Sequence, residues 1–105
     1  MILYTLRAAP GLGRDHGIRI NCISPGPVDS PMMVDFRAAL SSATIDWTAS
    51  QANGRLGRPE EMGPPLLFLN SDEASYVSGH NLIVDAGFTA AMTTGQVDLS
   101  SIPSS

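Results

Sequence analysis

The sequence predicts an α/β chain built on one βαβ unit of a doubly wound parallel sheet, with a helix end before it and an extended tail after it. Two apolar runs rich in β-branched residues, at residues 18–24 and 81–84, have the composition of buried strands. A long crossover with helix-start signals joins them. Because such crossovers connect parallel strands, both carboxyl ends are expected at one edge of the sheet, where α/β proteins bind ligands.

The chain begins with the end of a predicted helix. Residues 1–9 are good helix formers, and Ile2, Leu3 and Leu6 have helical spacing. Pro10 and the glycine after it are expected to stop or kink this helix, because proline removes a helix hydrogen bond. A polar connection then leads to the first strand.

The crossover is predicted to contain two helices separated by an irregular segment. Residues 32–40 have the apolar spacing of a short amphipathic helix. Residues 41–57 are interpreted as irregular or weakly helical, and segments this long are typically lids or binding segments. A second helix is predicted after Pro59, since proline followed by two acidic residues is typical of a helix start. Pro64 and Pro65 then require a kink or a helix that begins at Pro64.

The last part of the chain is predicted to be a turn, the second strand and a tail. Ser71 is expected to cap a short turn over residues 72–76. From residue 88 the sequence is small, polar and rich in serine and threonine, which predicts an extended tail over residues 88–105. Residues 1–87 are therefore the predicted folded part.

Charge and composition exclude several classes of function. The chain has 105 residues, a net charge of −4 and no basic cluster, which argues against nucleic-acid or anionic-membrane binding. No apolar stretch approaches the roughly 20 residues of a membrane span. Cys22, the one cysteine, is interpreted as a buried, inert thiol rather than a nucleophile, and a reducing cytoplasm is expected.

The isolated titratable residues favour structural roles. His16 and His80 are not at metal-ligand spacing with other ligand types, so no metal site is predicted. Glu60 and Glu61 could form an acid/base pair, but their position after proline favours interaction with the helix dipole. Asp85 is expected to bond nearby backbone donors at the end of the second strand.

Four motifs occur in order along the chain. They are GIRIN at residues 17–21, SPGPVDSPM at 24–32, GRPEEM at 57–62 followed by FL at 68–69, and SDEASYVSG at 71–79 with IVDAG at 83–87. Together they resemble the short-chain dehydrogenase/reductase family over nearly the whole chain. The resemblance implies that residues 1–87 are the C-terminal part of a Rossmann-type oxidoreductase domain.

The resemblance also implies a cofactor, NAD or NADP, that exchanges hydride with a small-molecule alcohol or ketone. In the family, the loop after the Pro-Gly pair passes under the nicotinamide. Carried over to this chain, Pro25 and Gly26 shape the turn. Val28 supplies a backbone contact to the carboxamide, and Ser30 supplies a hydroxyl where the family more often has threonine. The alternative is that Pro25-Gly26 is only a strand-ending turn.

Four apolar residues are candidates for a substrate pocket under a lid: Met32, Met33, Phe36 and Trp47. Methionine adapts to irregular apolar shapes, and tryptophan offers a large contact area. Ordinary core packing of a short helix explains the same spacing. Both interpretations stay open from sequence alone.

Three parts of the family's site have no counterpart in these residues: a Gly-rich turn for the pyrophosphate, a serine that orients the substrate oxygen, and a catalytic Tyr-Lys pair. Gly11 and Gly13 follow a helix rather than a strand, so they do not form the turn. Tyr4 is followed four positions later by Ala8, and the chain contains no lysine. The chain is therefore expected to be a fragment, inactive alone.

Two functions are inferred as alternatives. The first is a fragment of an NAD(P)-dependent oxidoreductase. The second is a non-catalytic interaction module that pairs with an intact family member, because the family's last helix and strand commonly form subunit contacts. Homo-oligomer contacts are expected for the same reason, although Pro64-Pro65 and Pro10-Gly11 disturb the helices that would make them.

Overall fold

A computed structural model describes residues 1–103 and shows an α/β arrangement of five α-helices and two strands over that range. The elements are α1 (Ile2–His16), β1 (Cys22–Pro25), α2 (Met33–Ala39), α3 (Ser42–Ser50), α4 (Gly63–Leu69), β2 (Asn81–Val84) and α5 (Phe88–Thr93). Short 3-10 turns lie at Pro59–Glu61, Asp72–Ala74 and Leu99–Ser101.

β1 and β2 pair in parallel, which confirms the predicted orientation. The register pairs Cys22 with Asn81 and Pro25 with Val84, so both strands end at the same edge of the sheet. The prediction for the second strand is confirmed at both ends. The first strand begins at Cys22 rather than at residue 18, and Cys22 is buried in it.

Residues before β1 hold the end of the crossover through side chains, which explains why the strand starts late. The Arg19 guanidinium donates to the carbonyls of Leu69 at 2.9 Å, Ser71 at 3.1 Å and Val77 at 3.2 Å. Asn21 donates to the Val77 carbonyl at 2.9 Å and accepts from the backbone N–H of His80 at 2.9 Å. Over residues 18–21 these side-chain bonds accompany one backbone bond, from the Gly79 N–H to the Ile20 carbonyl at 2.7 Å, in place of a full strand.

α1 continues through Pro10 to His16, so the first of the two expected outcomes at Pro10, a stop, is wrong. The helix ends at Gly17, whose φ of 65° is left-handed and favours glycine. The N–H of Gly17 donates to the Gly13 carbonyl at 3.2 Å, as in the αL cap, and the N–H of Ile18 donates to the Leu12 carbonyl at 3.1 Å. Pro10 is exposed, and the cap six residues beyond the Pro10-Gly11 pair is the stronger stop signal.

The crossover is more helical than predicted. α2 confirms the amphipathic helix. α3 is a nine-residue helix inside the segment interpreted as irregular or weakly helical, so the helical alternative is the one observed there. Ser41 caps α3, because its hydroxyl accepts from the Thr44 N–H at 3.0 Å. Ile45 and Ala49 are buried one turn apart on the same face of α3, which supplies the packing that weak propensity does not.

The proline pair lies in the first turn of α4, which is one of the two expected outcomes. Gly63 precedes Pro64 and Pro65 there, where a missing N–H costs little. The turn after Ser71 covers Asp72–Ala74 and is shorter than predicted.

The prediction of an extended tail from residue 88 is wrong over Phe88–Thr93, which form α5. The Asp85 carboxylate accepts from the N–H groups of Gly87 at 3.0 Å and Thr89 at 2.9 Å, so it caps this helix from the end of β2. This also confirms the expected bonding of Asp85 to nearby backbone donors. The domain boundary at residue 87 stays a prediction.

Candidate functional site

The loop after β1 is fixed by close contact with the end of β2. The N–H of Gly26 donates to the Val84 carbonyl at 3.0 Å. A Cβ on Gly26 would lie 2.9 Å from the Cβ of Asp85 and 3.1 Å from its Cα. Glycine is therefore required here by the approach of two backbones.

Val28 lies in a parallel bridge to Gly57, the residue at which the segment after α3 returns to the loop. The Gly57 N–H donates to the Pro27 carbonyl at 2.9 Å, and its carbonyl accepts from the Asp29 N–H at 2.8 Å. In such a bridge the N–H and carbonyl of Val28 itself point to the opposite side. They are the backbone groups of this loop that a ligand could reach.

A cavity of about 350 Å³ lies beside this loop. Its loop side is formed by Pro25, Gly26, Pro27, Val28 and Ser30. Its helix side is entirely apolar and consists of Met32, Met33, Phe36, Leu40 and Ile45. Met33 is buried, whereas Met32 is 62% exposed and Phe36 is 47% exposed. The structure thus brings the four candidate cofactor residues and three of the four candidate pocket residues together.

Trp47, the fourth candidate pocket residue, lies elsewhere. Ile45 lines the cavity, and a residue two positions later on a helix is rotated by about 200° to the other side. The Trp47 ring packs edge-on against Phe88, with ring centroids 6.1 Å apart, and its indole N–H donates to the Ser101 hydroxyl at 2.8 Å. The prediction that Trp47 lines the pocket is therefore wrong, because α3 turns this side chain away from the cavity.

Leu40 and Ile45 are the pocket residues that the sequence analysis missed. Ile45 is a lone branched apolar residue in a segment rich in serine and threonine, and that contrast was the available signal. Gly57 was also missed as the partner of Val28, although it directly precedes the helix-start motif.

Glu61 forms the strongest charge cluster near the loop. It accepts from the Arg55 guanidinium at 2.7 and 2.9 Å, and from the Arg58 backbone N–H at 2.8 Å. The hydrogen bonds from Arg55 and Arg58 lower the pKa of Glu61 to about 2, and the pKa of Arg55 is raised in turn. These bonds fix the shape of residues 55–61 around Gly57. Glu61 is thus paired with arginine, which argues against an acid/base pair with Glu60.

A second cavity of about 280 Å³ lies on the other side of the same loop, between the end of α3 and the end of β2. Asp85 lines it together with Thr48, Ala52 and Phe88. Burial alone would raise the pKa of Asp85, but the hydrogen bonds from Thr89 and Gly87 outweigh this and lower it.

Residues 1–103 contain no cluster of three or more potential metal ligands. Over the same residues, no helix is both long and apolar enough to cross a membrane.

A family model described as enoyl-(acyl carrier protein) reductase matches residues 2–89, which is most of the chain. The chain belongs to the short-chain dehydrogenase/reductase family. Its α/β fold is accordingly the C-terminal portion of a Rossmann-type fold.

Similar proteins include dehydrogenase/reductase SDR family member 6 of Xenopus laevis, 40% identical over 78 residues that make up 71% of this chain and 32% of that protein. Cyclohexanol dehydrogenase of Acinetobacter sp. (strain SE19) is 38% identical over 76 residues, covering 72% of this chain and 28% of that protein. The chain thus spans about a third of the length of the curated relatives that it matches.

A solved structure, 4-hydroxyisoleucine dehydrogenase complexed with NADH, matches with a TM-score of 0.71 and 28% identity. The match covers 85% of this chain and 36% of that one. Members of the family use NAD or NADP, as this complex with NADH illustrates.

Proposed function

We propose that this chain forms the nicotinamide-end wall and the substrate-side wall of an NAD(P)-dependent oxidoreductase acting on small alcohols or ketones. The observation that carries the proposal is the position of the Val28 loop beside an apolar cavity. When bound, the cofactor supplies the hydride exchange. The residues of this chain orient it and exclude water.

The fit of the loop to a nicotinamide rests on backbone groups held before any ligand arrives. The bridge to Gly57 leaves the N–H and carbonyl of Val28 on the side away from Gly57, as a donor and an acceptor at adjacent positions. A carboxamide offers the complementary acceptor and donor. The Ser30 hydroxyl, at the wall of the same cavity, is the added polar contact.

The cavity favours a substrate with an uncharged, apolar body. None of the residues that line it is charged. Arg37, the arginine of α2, pairs with Asp46 at 3.2 Å and is not among the lining residues. Burying a carboxylate against Met33, Phe36 and Ile45 would leave it unpaired, which is costly.

We propose further that these 105 residues do not catalyse hydride transfer by themselves. The family's proton transfer uses a tyrosine assisted by lysine, and the sequence holds no lysine. Arginine does not replace it, because it stays protonated. The chain therefore acts together with residues that supply this pair.

The test joins the chain to a relative. Residues 2–89, the range that the family model matches, replace the corresponding segment of the cyclohexanol dehydrogenase of Acinetobacter sp. (strain SE19). NADH formation is then measured with cyclohexanol. We expect turnover by the joined protein and none by the 105-residue chain. Preference for cyclohexanol over the same ring bearing a carboxylate is also expected. A joined protein that folds and binds no NADH would refute the role of the loop.

Ser30 allows a matched set of variants in that joined protein. Ser30→Ala removes the hydroxyl and should weaken NADH binding about two- to tenfold, the size of one net hydrogen bond. Ser30→Thr keeps the hydroxyl and should restore binding. Ser75→Ala, at an exposed serine of the crossover, is the control. Equal binding by all three variants would remove Ser30 from the site.

A non-catalytic interaction module is the second candidate, and exposed apolar residues favour it. On α4, Leu67 is 72% exposed and Phe68 is 44% exposed, and on α1 Leu3 is 59% exposed. Such faces mark interaction surfaces. Co-expression with the intact Xenopus laevis relative tests it: a stable mixed complex that is lost in Leu67→Glu supports the module, and separate elution of the two chains contradicts it.

A further inference from the structure

The helix that closes the apolar cavity is held from its outer side by the C-terminal segment. Ile45 of α3 lines the cavity and is 5% exposed. On the outer side, Trp47 meets Phe88 and Ser101, and the Gln51 side chain accepts from the Asp98 N–H at 3.0 Å. One face of α3 therefore shapes the cavity while the other is bound by residues 88–101.

A cavity lies between α3 and the end of β2, so the two make little direct contact. The 280 Å³ cavity separates Thr48 and Ala49 of α3 from Val84 and Asp85 at the end of β2. A helix flanked by open space on that side is free to shift unless another segment spans the gap. Residues 88–101 span it, because α5 starts at the end of β2 and the turn at Leu99–Ser101 reaches Trp47.

The spanning segment is itself anchored to the sheet. Asp85 directly follows β2, and its carboxylate accepts from both the N–H and the hydroxyl of Thr89 in α5. At the far end, Asp98 accepts from the N–H of Ser100 at 3.1 Å, and Ser101 donates to the Asp98 carbonyl at 2.8 Å. The first end of the segment is thus fixed to the end of β2, and its last turn is held in shape by its own hydrogen bonds.

We propose that residues 88–101 act as a strap that sets the position of α3, and that Trp47 is a positioning residue for the apolar cavity. The strap acts through the indole N–H bond to Ser101 and the edge-on contact with Phe88. A loosened strap lets α3 move away from the cavity, which widens the site without changing its lining residues. The consequence for substrate choice rests on the proposed function, whereas the position of α3 does not.

The test uses the full 105-residue chain and measures tryptophan emission and hydrogen exchange in α3. Ser101→Ala removes the acceptor for the indole, Ser101→Thr keeps it, and Ser100→Ala is the matched control, because the Ser100 hydroxyl bonds Asp98 and not Trp47. Trp47 is the single tryptophan of the chain, so tryptophan emission reports on the surroundings of this one indole. Hydrogen exchange is followed in α2 and α3, with α1 as the internal reference.

We expect Ser101→Ala to shift the tryptophan emission to the red and to speed exchange in α2 and α3 about two- to tenfold, as for the loss of one net hydrogen bond. Ser101→Thr should restore both, and α1 should not change. Equal effects in Ser100→Ala, equal acceleration in α1, or no change in α3 would each overturn the strap.

A kinetic measurement separates this inference from the proposed function. The strap is included in a second joined protein, in which residues 1–103 replace the relative's matching segment together with its remaining C-terminal residues. There, Ser101→Ala should raise the KM for cyclohexanol about two- to tenfold with kcat little changed. An inactive joined protein would count against the proposed function only, since the exchange experiment would still decide on the strap. A fall in kcat with unchanged KM would contradict the positioning role.

Discussion

Gly26 and Asp85 are in backbone contact across the ends of the two strands, at a separation that leaves no room for a side chain on Gly26. Gly26→Ala should therefore push the Val28 loop away from β2 and lower the free energy of unfolding by about 1–3 kcal/mol. Chemical denaturation measures this. Gly11→Ala is the control, because Gly11 lies in α1 with open space around it and alanine favours helix by about 0.5–1 kcal/mol. A Gly26 variant as stable as the parent chain would contradict the contact.

Arg19 ties three carbonyls of the crossover to the start of β1, and Arg19→Met keeps the length of the side chain without its donors. The loss should destabilise the chain by about 2–3 kcal/mol, because the bonds are charge-assisted and partly buried. Denaturation midpoints measure it. Arg7→Met, at an exposed position of α1, should change stability by less than about 0.5 kcal/mol. Similar losses in both variants would show that Arg19 has no special role.

The Arg55–Glu61 pair makes stability depend on pH in the acid range. The pKa of Glu61 is about 2 in the folded chain and near 4.5 when unfolded. The unfolded chain therefore binds the proton more readily, so the stabilisation is complete above about pH 4.5 and is lost as the pH falls towards 2. Thermal melts from pH 7 to 2 should show this decline. Glu61→Gln should flatten it, whereas Glu60→Gln, at the neighbouring exposed carboxylate, should leave it in place.

Asp85 caps α5, so Asp85→Asn should weaken the helix that begins the strap. An amide lacks the charge that strengthens bonds to the Gly87 and Thr89 N–H groups, and the expected loss is about 0.5–1 kcal/mol. The pKa of Asp85 is lower in the folded chain than in the unfolded chain. The stabilisation by the Asp85 carboxylate is therefore complete above the ordinary aspartate pKa, near 4, and is lost as the pH falls below it. Exchange rates of the α5 amides in the two proteins, at pH 7 and pH 3, provide the measurement. Equal rates at pH 7 would contradict the cap.

The sequence predicted the parts of the fold that local signals encode strongly. Residues 81–84 include the β-branched pair Ile83-Val84 and are bounded by turn residues. Pro64-Pro65 permits only a kink or a new helix start. The motif around Pro25 and Gly26 predicted that the first strand ends there in a turn, and β1 does end at Pro25. The cavity beside it depends on the apolar spacing of Met33 and Phe36, which the sequence also shows.

Most of the errors came from helix caps that the sequence analysis did not recognise, and one came from the tertiary packing that buries Ile45. Pro10 suggested a helix end, but the left-handed cap at Gly17 sets the actual one. Residues 41–57 were interpreted as irregular or weakly helical and residues 88–93 as part of an extended tail, because serine and threonine have weak helix propensity. The helices in these segments depend on the Ser41 and Asp85 caps and on the burial of Ile45.

The parallel pairing of β1 with β2 has a consequence for how quickly the chain acquires its structure. Cys22 and Asn81 are paired neighbours in the sheet but are 59 positions apart in sequence. The loop-closure entropy for that distance must be overcome before any strand hydrogen bond forms, whereas α1 and α3 need only local contacts. Refolding is therefore expected to show early helix signals, and then a slower phase in which the crossover closes and the Val28 loop takes shape.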